Sequence, residues 1–84
     1  MFAIQVIEND NSIKYIKYHS YKDLFGGEVW GAYHLCEDVK ESYTFQFEIN
    51  AKEFIRDILE KYYPNLISNK KEISITPKKV WVSK

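Results

Sequence analysis

The spacing of apolar residues changes twice along this chain, and these changes constrain its fold more than any other feature. Before residue 50, apolar and polar residues alternate in four short stretches, as they do in β-strands. From 51 to 63, apolar residues recur every three or four positions, as on one face of an α-helix. Alternation returns after Pro64. The sequence therefore predicts an α+β fold, with strands before and after one helix.

The alternating stretches before the helix are residues 2–8, 12–18, 29–36 and 43–49. The first two are joined by Asn-Asp-Asn, which favours a tight turn, so they are predicted to form a hairpin. A three-residue loop places Ile7 opposite Ile13 and Phe2 opposite Tyr18. The fourth stretch has four large apolar side chains on one face, which predicts a core strand: Tyr43, Phe45, Phe47 and Ile49.

The positions of the glycines predict two further local features. Ser20 resembles a helix N-cap, and the Gly26-Gly27 pair would end a helix within a turn, so 20–27 is predicted to be a loop with one helical turn. Gly31 lies inside the third strand, which indicates a bulge or a close approach of another group to the backbone.

The helix is predicted over about 51–63. Asn50 is placed to cap its first turn, with Glu53 in the capping-box position. Pro64 ends it, because a residue that precedes proline disfavours helical geometry. Five apolar residues form the stripe expected to face the sheet: Phe54, Ile55, Ile58, Leu59 and Tyr62.

The end of the chain leaves two arrangements open. Residues 72–76 and 79–83 are predicted to form either a final hairpin or a single strand interrupted at Pro77. The chain, 1–84, has the length of a single domain. The predicted architecture is an antiparallel sheet of four to six strands with the helix packed on one face, in the order β-β-β-β-α-β, with one more strand in the hairpin case.

The cysteine count, the first residues and the lengths of the apolar runs indicate a cytoplasmic protein that does not enter a membrane. A single cysteine excludes an intramolecular disulfide, which suits a reducing compartment. The first residues, Met-Phe-Ala-Ile-Gln-Val, lack the basic segment of a signal peptide. No apolar run approaches the ~20 residues of a membrane-spanning helix.

The sequence predicts no catalytic residue, no metal site and no cofactor. Cys36 with His34 or His19 is the one conceivable nucleophile–base pair, and a strand does not position it for proton transfer. The acidic Glu37 and Asp38 are expected to raise the pKa of the Cys36 thiol. One Cys and two His are too few for the four ligands of a structural zinc site.

Aromatic residues are abundant, with seven Tyr, five Phe and two Trp, and they favour a protein-binding role. Tyr and Trp are enriched at protein interfaces and often carry much of the binding energy. The candidate contact residues are Tyr15, Tyr21, Trp30 and Tyr33. An acidic turn is expected to steer the chain toward a basic partner surface: Glu37, Asp38 and Glu41. A homodimer is a further possibility that the sequence leaves open.

Composition suggests a source and a role. Eleven Lys against one Arg, with ten Ile, is typical of a low-GC genome, and we expect a phage or mobile-element inhibitor of a host defence or nuclease protein. The alternative is a nucleic-acid-binding accessory protein using a Lys-rich segment: Lys70, Lys71, Lys78, Lys79 and Trp81. The net charge of zero and the single Arg weigh against this alternative.

Overall fold

The computed structural model describes residues 1–22 and 24–78. Within these residues the strands are β1 (Phe2–Glu8), β2 (Ile13–Lys22), β3 (Glu28–Cys36), β4 (Thr44–Phe45) and β5 (Lys70–Pro77). One long helix, α1, covers 48–62, and short 3₁₀ turns cover Val39–Glu41 and Pro64–Leu66. The predicted α+β class, an antiparallel sheet with one helix packed on it, is confirmed.

Strand β1 lies at the centre of the sheet. One of its edges pairs with β5 along its whole length, from Phe2 opposite Pro77 to Glu8 opposite Lys70. Its other edge is shared, because β2 pairs with residues 5–7 and β4 pairs with residues 2–3. Strand β3 then pairs with the far side of β2. All of these pairings are antiparallel.

The predicted β1–β2 hairpin is confirmed at its loop end, where Ile7 lies opposite Ile13. Asn11 takes a φ of 69° there, a left-handed conformation that asparagine tolerates. The expected pairing of Phe2 with Tyr18 is wrong, because β4 enters the gap between the two strands. Phe2 pairs with Phe45 instead.

The core lies between α1 and one face of the sheet. Its fully or almost fully buried members are Ile4, Val6, Ile16, Ala51, Leu59 and Ile67. Burying an aliphatic side chain of this size contributes roughly 1.5–3 kcal/mol. The central strand and the helix together therefore supply most of the stabilising apolar burial.

The prediction that 43–49 is a core strand is wrong. Only Thr44 and Phe45 are in a strand, and Phe47 and Ile49 are 57% and 58% exposed. The antiparallel register places Phe45 opposite Phe2, the first residue of β1, so the chain beyond it has no strand to pair with. The helix starts there instead.

The helix begins at Glu48 rather than at residue 51. Its N-cap is Phe47, without a side-chain hydrogen bond, so the predicted Asn50 cap is wrong. The predicted end is confirmed, since Tyr62 is the last helical residue and Pro64 follows. Tyr63 between them has left the helical conformation, with φ −129° and ψ 44°, since a residue before proline disfavours helical geometry.

A π-helical turn over Ile55–Leu59 shifts the apolar stripe by one residue. The Glu60 N–H donates to the carbonyl of Ile55, so this turn holds one residue more than an α-helical turn. As a result Tyr63 packs against the core, whereas Tyr62, predicted to face the sheet, is 63% exposed.

The segment 20–27 differs from its prediction as a loop with a helical turn. β2 continues to Lys22, because Ser20 and Tyr21 pair with Gly31 and Trp30 of β3. At the other end of the chain, the proposed strand 79–83 lies outside the described residues. The choice between a final hairpin and an interrupted strand therefore stays a prediction.

Gly31 confirms the expected close approach to its backbone. A methyl group added to its Cα would overlap the ring of Tyr18, which lies across it. We expect Gly31→Ala to lower the free energy of unfolding by about 1–3 kcal/mol, because the Tyr18 ring must move out of its place. Urea unfolding followed by tyrosine and tryptophan fluorescence measures this difference.

The matched control is the same substitution in a Tyr18→Ala background. Without the ring, the three atoms nearest to the added methyl are gone, and the second substitution should cost much less stability. An equal loss of stability in both backgrounds would show that the Tyr18 contact is not the cause.

Candidate functional site

Four side chains form a cluster on the face of the sheet that points away from α1. This cluster, the aromatic patch, consists of His19, Tyr21, Trp30 and His34. The first two lie on β2 and the other two on β3, at alternating positions. Strand alternation therefore places them together, on the face opposite Ile16 and Leu35.

Tyr21 is the centre of the aromatic patch. It lies directly opposite Trp30 in the β2–β3 register, and the two rings stack with centroids 3.9 Å apart at 18°. Its hydroxyl shares a hydrogen bond of 2.9 Å with Nε2 of His34. The His19 ring meets it edge-on, with centroids 4.6 Å apart. Tyr21 is thus held from three sides.

The patch combines exposure with close ring contacts. Trp30 is 54% exposed although its ring is stacked on Tyr21. An aromatic pair of this kind contributes about 0.5–1.5 kcal/mol beyond its buried area. Side chains that are already ordered lose less entropy when a partner binds. The arrangement is suited to recognition by contact.

The tip of the β2–β3 hairpin exposes two more large apolar side chains. Leu24 and Phe25, two and three residues after the end of β2, are 100% and 96% exposed. Gly26 follows with a φ of 83°, a conformation that favours glycine in the turn. The sequence prediction missed Leu24 and Phe25 because it took 20–27 for a helical turn. The alternation that continues through His19 and Tyr21 was the available signal.

Two of the predicted contact residues lie elsewhere. Tyr15 is on the same face as the patch but further along β2, between Gln5 and Cys36 in the register. Tyr33 is on the opposite face, where its ring meets four aromatic side chains: Tyr18, Tyr43, Phe54 and Tyr63. Burial raises the pKa of Tyr33 there. The structure therefore does not bring Tyr33 together with Trp30.

The acidic turn is partly neutralised within the molecule. Lys14 Nζ lies 2.6 Å from a carboxylate oxygen of Glu37, and this hydrogen bond lowers the pKa of Glu37 and raises that of Lys14. The Asp38 carboxylate accepts a hydrogen bond of 2.8 Å from the Lys40 N–H and so caps the following 3₁₀ turn. Glu41 is exposed within that turn.

Cys36 has the character of a packing residue. It is buried, and its Sγ lies 3.4 Å from the carbonyl oxygen of Asp38. Burial raises the pKa of the Cys36 thiol, and the negative charge of Glu41 adds to the effect. The predicted direction of this pKa shift is confirmed, but its largest cause is desolvation, and of the two acids expected to cause it Asp38 contributes only as a minor one. His34, the candidate base, is hydrogen-bonded to Tyr21.

Neither a metal cluster nor a membrane span emerges from the described chain. Its His, Cys, Asp and Glu side chains form no group of three or more that would hold a metal ion. Over the same residues, no helix combines the length and the apolar character needed to cross a bilayer.

The candidate nucleic-acid-binding lysines that the structure describes each contact a different part of the chain. Lys78 Nζ donates to the carbonyl oxygens of Lys40 and Ser42, at 3.0 and 3.1 Å. Lys71 Nζ donates to the side chain of Asn11 at 3.1 Å. Lys70 pairs with Glu8 at the start of β5. The two remaining candidates lie outside the described residues: Lys79 and Trp81.

Comparison with known proteins finds no match, whether to a family model, to a curated protein or to a solved structure. Function is therefore argued from the side chains of this chain alone.

Proposed function

We propose that this protein works by binding another protein through the aromatic patch and the adjoining hairpin tip, without catalysing a reaction. The observation that carries the proposal is Trp30, which is half-exposed and already stacked on Tyr21. Interface residues that dominate binding energy are often Trp and Tyr in ordered surroundings.

The hairpin tip supports the same role. Leu24 and Phe25 lie in the loop of the same hairpin and are almost fully exposed, and large exposed apolar groups commonly mark interaction sites. The acidic turn offers less free negative charge for attracting a basic partner than the sequence suggested, because Glu37 is paired with Lys14. Attraction to a basic partner would then depend on Asp38 and Glu41.

Within this class we propose a cytoplasmic inhibitor of a host defence or nuclease protein, encoded by a phage or mobile element. Its support is the small size, the neutral charge and the Lys- and Ile-rich composition. Nucleic-acid binding is the competing function. Two of its five candidate lysine and tryptophan groups already make intramolecular hydrogen bonds: Lys71 and Lys78.

The partner can be sought by affinity capture with tagged protein from a low-GC bacterial lysate, with and without nuclease. Captured proteins are identified by mass spectrometry. A stoichiometric protein that survives nuclease treatment supports protein binding. Loss of every partner on nuclease treatment, with direct DNA or RNA binding that weakens steeply with salt, would support the nucleic-acid alternative instead.

For the captured partner, we expect Trp30→Ala to weaken binding by at least ~30-fold, the effect of losing a dominant interface residue. Calorimetric titration measures the affinity, and circular dichroism checks the fold. Tyr62→Ala is the matched control, since Tyr62 is a similarly exposed aromatic residue on the helix side. Unchanged affinity in folded Trp30→Ala would contradict the proposed site.

A further inference from the structure

From Trp30 onward, the outer edge of β3 lacks the features that usually protect an edge strand, and the one register shift with β2 lies before this stretch, at residues 28–30. Among the described residues β3 pairs only with β2, so its other edge is open. From Trp30 to Cys36 the strand has no Asp, Glu, Lys, Arg or Pro, and its register with β2 is regular. Edge strands normally carry charges, prolines or bulges that prevent pairing with another chain.

The opposite edge strand of the described sheet shows the contrast. β5 starts with Lys70, Lys71 and Glu72 and ends with Pro77. These are the residue types that discourage strand addition. The two edge strands of the described sheet thus differ in their protection against strand addition, and β3 is the edge that can accept another strand.

We propose that two copies of this chain pair their β3 strands antiparallel about a twofold axis, which joins the two sheets into one. An axis perpendicular to the sheet requires one residue to lie opposite itself. A register centred on Ala32 pairs residues 30–34 of the two copies, all of which lie in the regular part of β3. Trp30 then lies opposite His34 of the second copy.

Charge and size suit a second copy in this register. No charged residue lies opposite another in the paired stretch, since residues 30–36 contain no Asp, Glu, Lys or Arg. The small Ala32 at the axis lets the strands approach closely. The Trp30–His34 pairs extend each aromatic patch across the junction, and cross-strand aromatic pairs stabilise a sheet. This dimer forms independently of any other partner.

The test begins with the mass of the unmodified protein in solution, measured by sedimentation equilibrium from micromolar to millimolar concentration. We expect a monomer–dimer equilibrium. Ala32→Lys and Ala32→Glu each place two like charges face to face at the axis, and each should raise the dimer dissociation constant by at least about 100-fold. Thr76→Lys, on the same face of the opposite edge strand, should leave it unchanged.

Mixing the two Ala32 variants provides the decisive measurement. Lysine then lies opposite glutamate, so the mixture should form a heterodimer by native mass spectrometry although each variant alone is monomeric. Circular dichroism checks that both variants fold. An unmodified protein that stays monomeric at every concentration overturns the proposal. So does a dimer that survives both substitutions, because its interface must lie elsewhere.

Discussion

Ile4→Asp is expected to abolish the native fold at neutral pH. Ile4 is fully buried in the central strand, opposite Ile75 of β5 and in the cluster that packs under α1. An unpaired carboxylate there costs several kcal/mol, and the alternative of protonation is also unfavourable at pH 7. The total stability of a domain of this size is only about 5–10 kcal/mol. Loss of amide dispersion in a ¹H–¹⁵N correlation spectrum, with an unfolded circular dichroism spectrum, measures the outcome.

Ile13→Asp is the matched control for this substitution. Ile13 lies on the neighbouring strand, is half-exposed and faces away from the helix. We expect its aspartate variant to stay folded and to lose no more than about 1 kcal/mol, as surface substitutions do. If Ile4→Asp were as stable as Ile13→Asp, the helix side of the sheet would not be the core.

The second large effect is expected at Leu59. This side chain is fully buried and lies in the π-helical turn, where it joins the core cluster. Leu59→Ala should lower the free energy of unfolding by about 2–5 kcal/mol, from lost apolar burial and the cavity left behind. The fall in the midpoint of urea unfolding, at an unchanged slope, gives the value.

The neighbouring tyrosines test the phase of the helix that places Leu59 in the core. Tyr63 packs against the core and Tyr62 is exposed, because the π-helical turn shifts the stripe. Tyr63→Ala should therefore destabilise the protein by more than about 1 kcal/mol and Tyr62→Ala by less than about 0.5 kcal/mol. The reverse order would mean that the helix is α-helical throughout.

Local patterns predicted the elements whose partners lie nearby in sequence. The loop end of the β1–β2 hairpin and the end of the helix at Pro64 depend on a short turn and one proline, and both were predicted correctly. The start of the helix depends on a pairing between strands that are far apart in the sequence. β4 stops at Phe45 because β1 begins at Phe2, and no pattern within 43–49 contains that information.

The candidate site was predictable in part for the same reason. Tyr21 and Trp30 were both identified as contact residues from their type. Their stacking depends on the register between β2 and β3, which the helical interpretation of 20–27 had excluded. His34 was considered only beside Cys36, because its hydrogen bond to Tyr21 joins two strands.

The position of β1 also determines the order in which the sheet can be completed during synthesis. Its hairpin with β2 involves neighbouring residues and can form early. Its other edge stays unpaired until β5 has been synthesised, since Phe2 pairs with Pro77 and Glu8 with Lys70. Pairings so distant in sequence slow folding. While the chain is being made, its central strand is therefore an open edge, and the ribosome must release almost all of the described residues before that edge is closed.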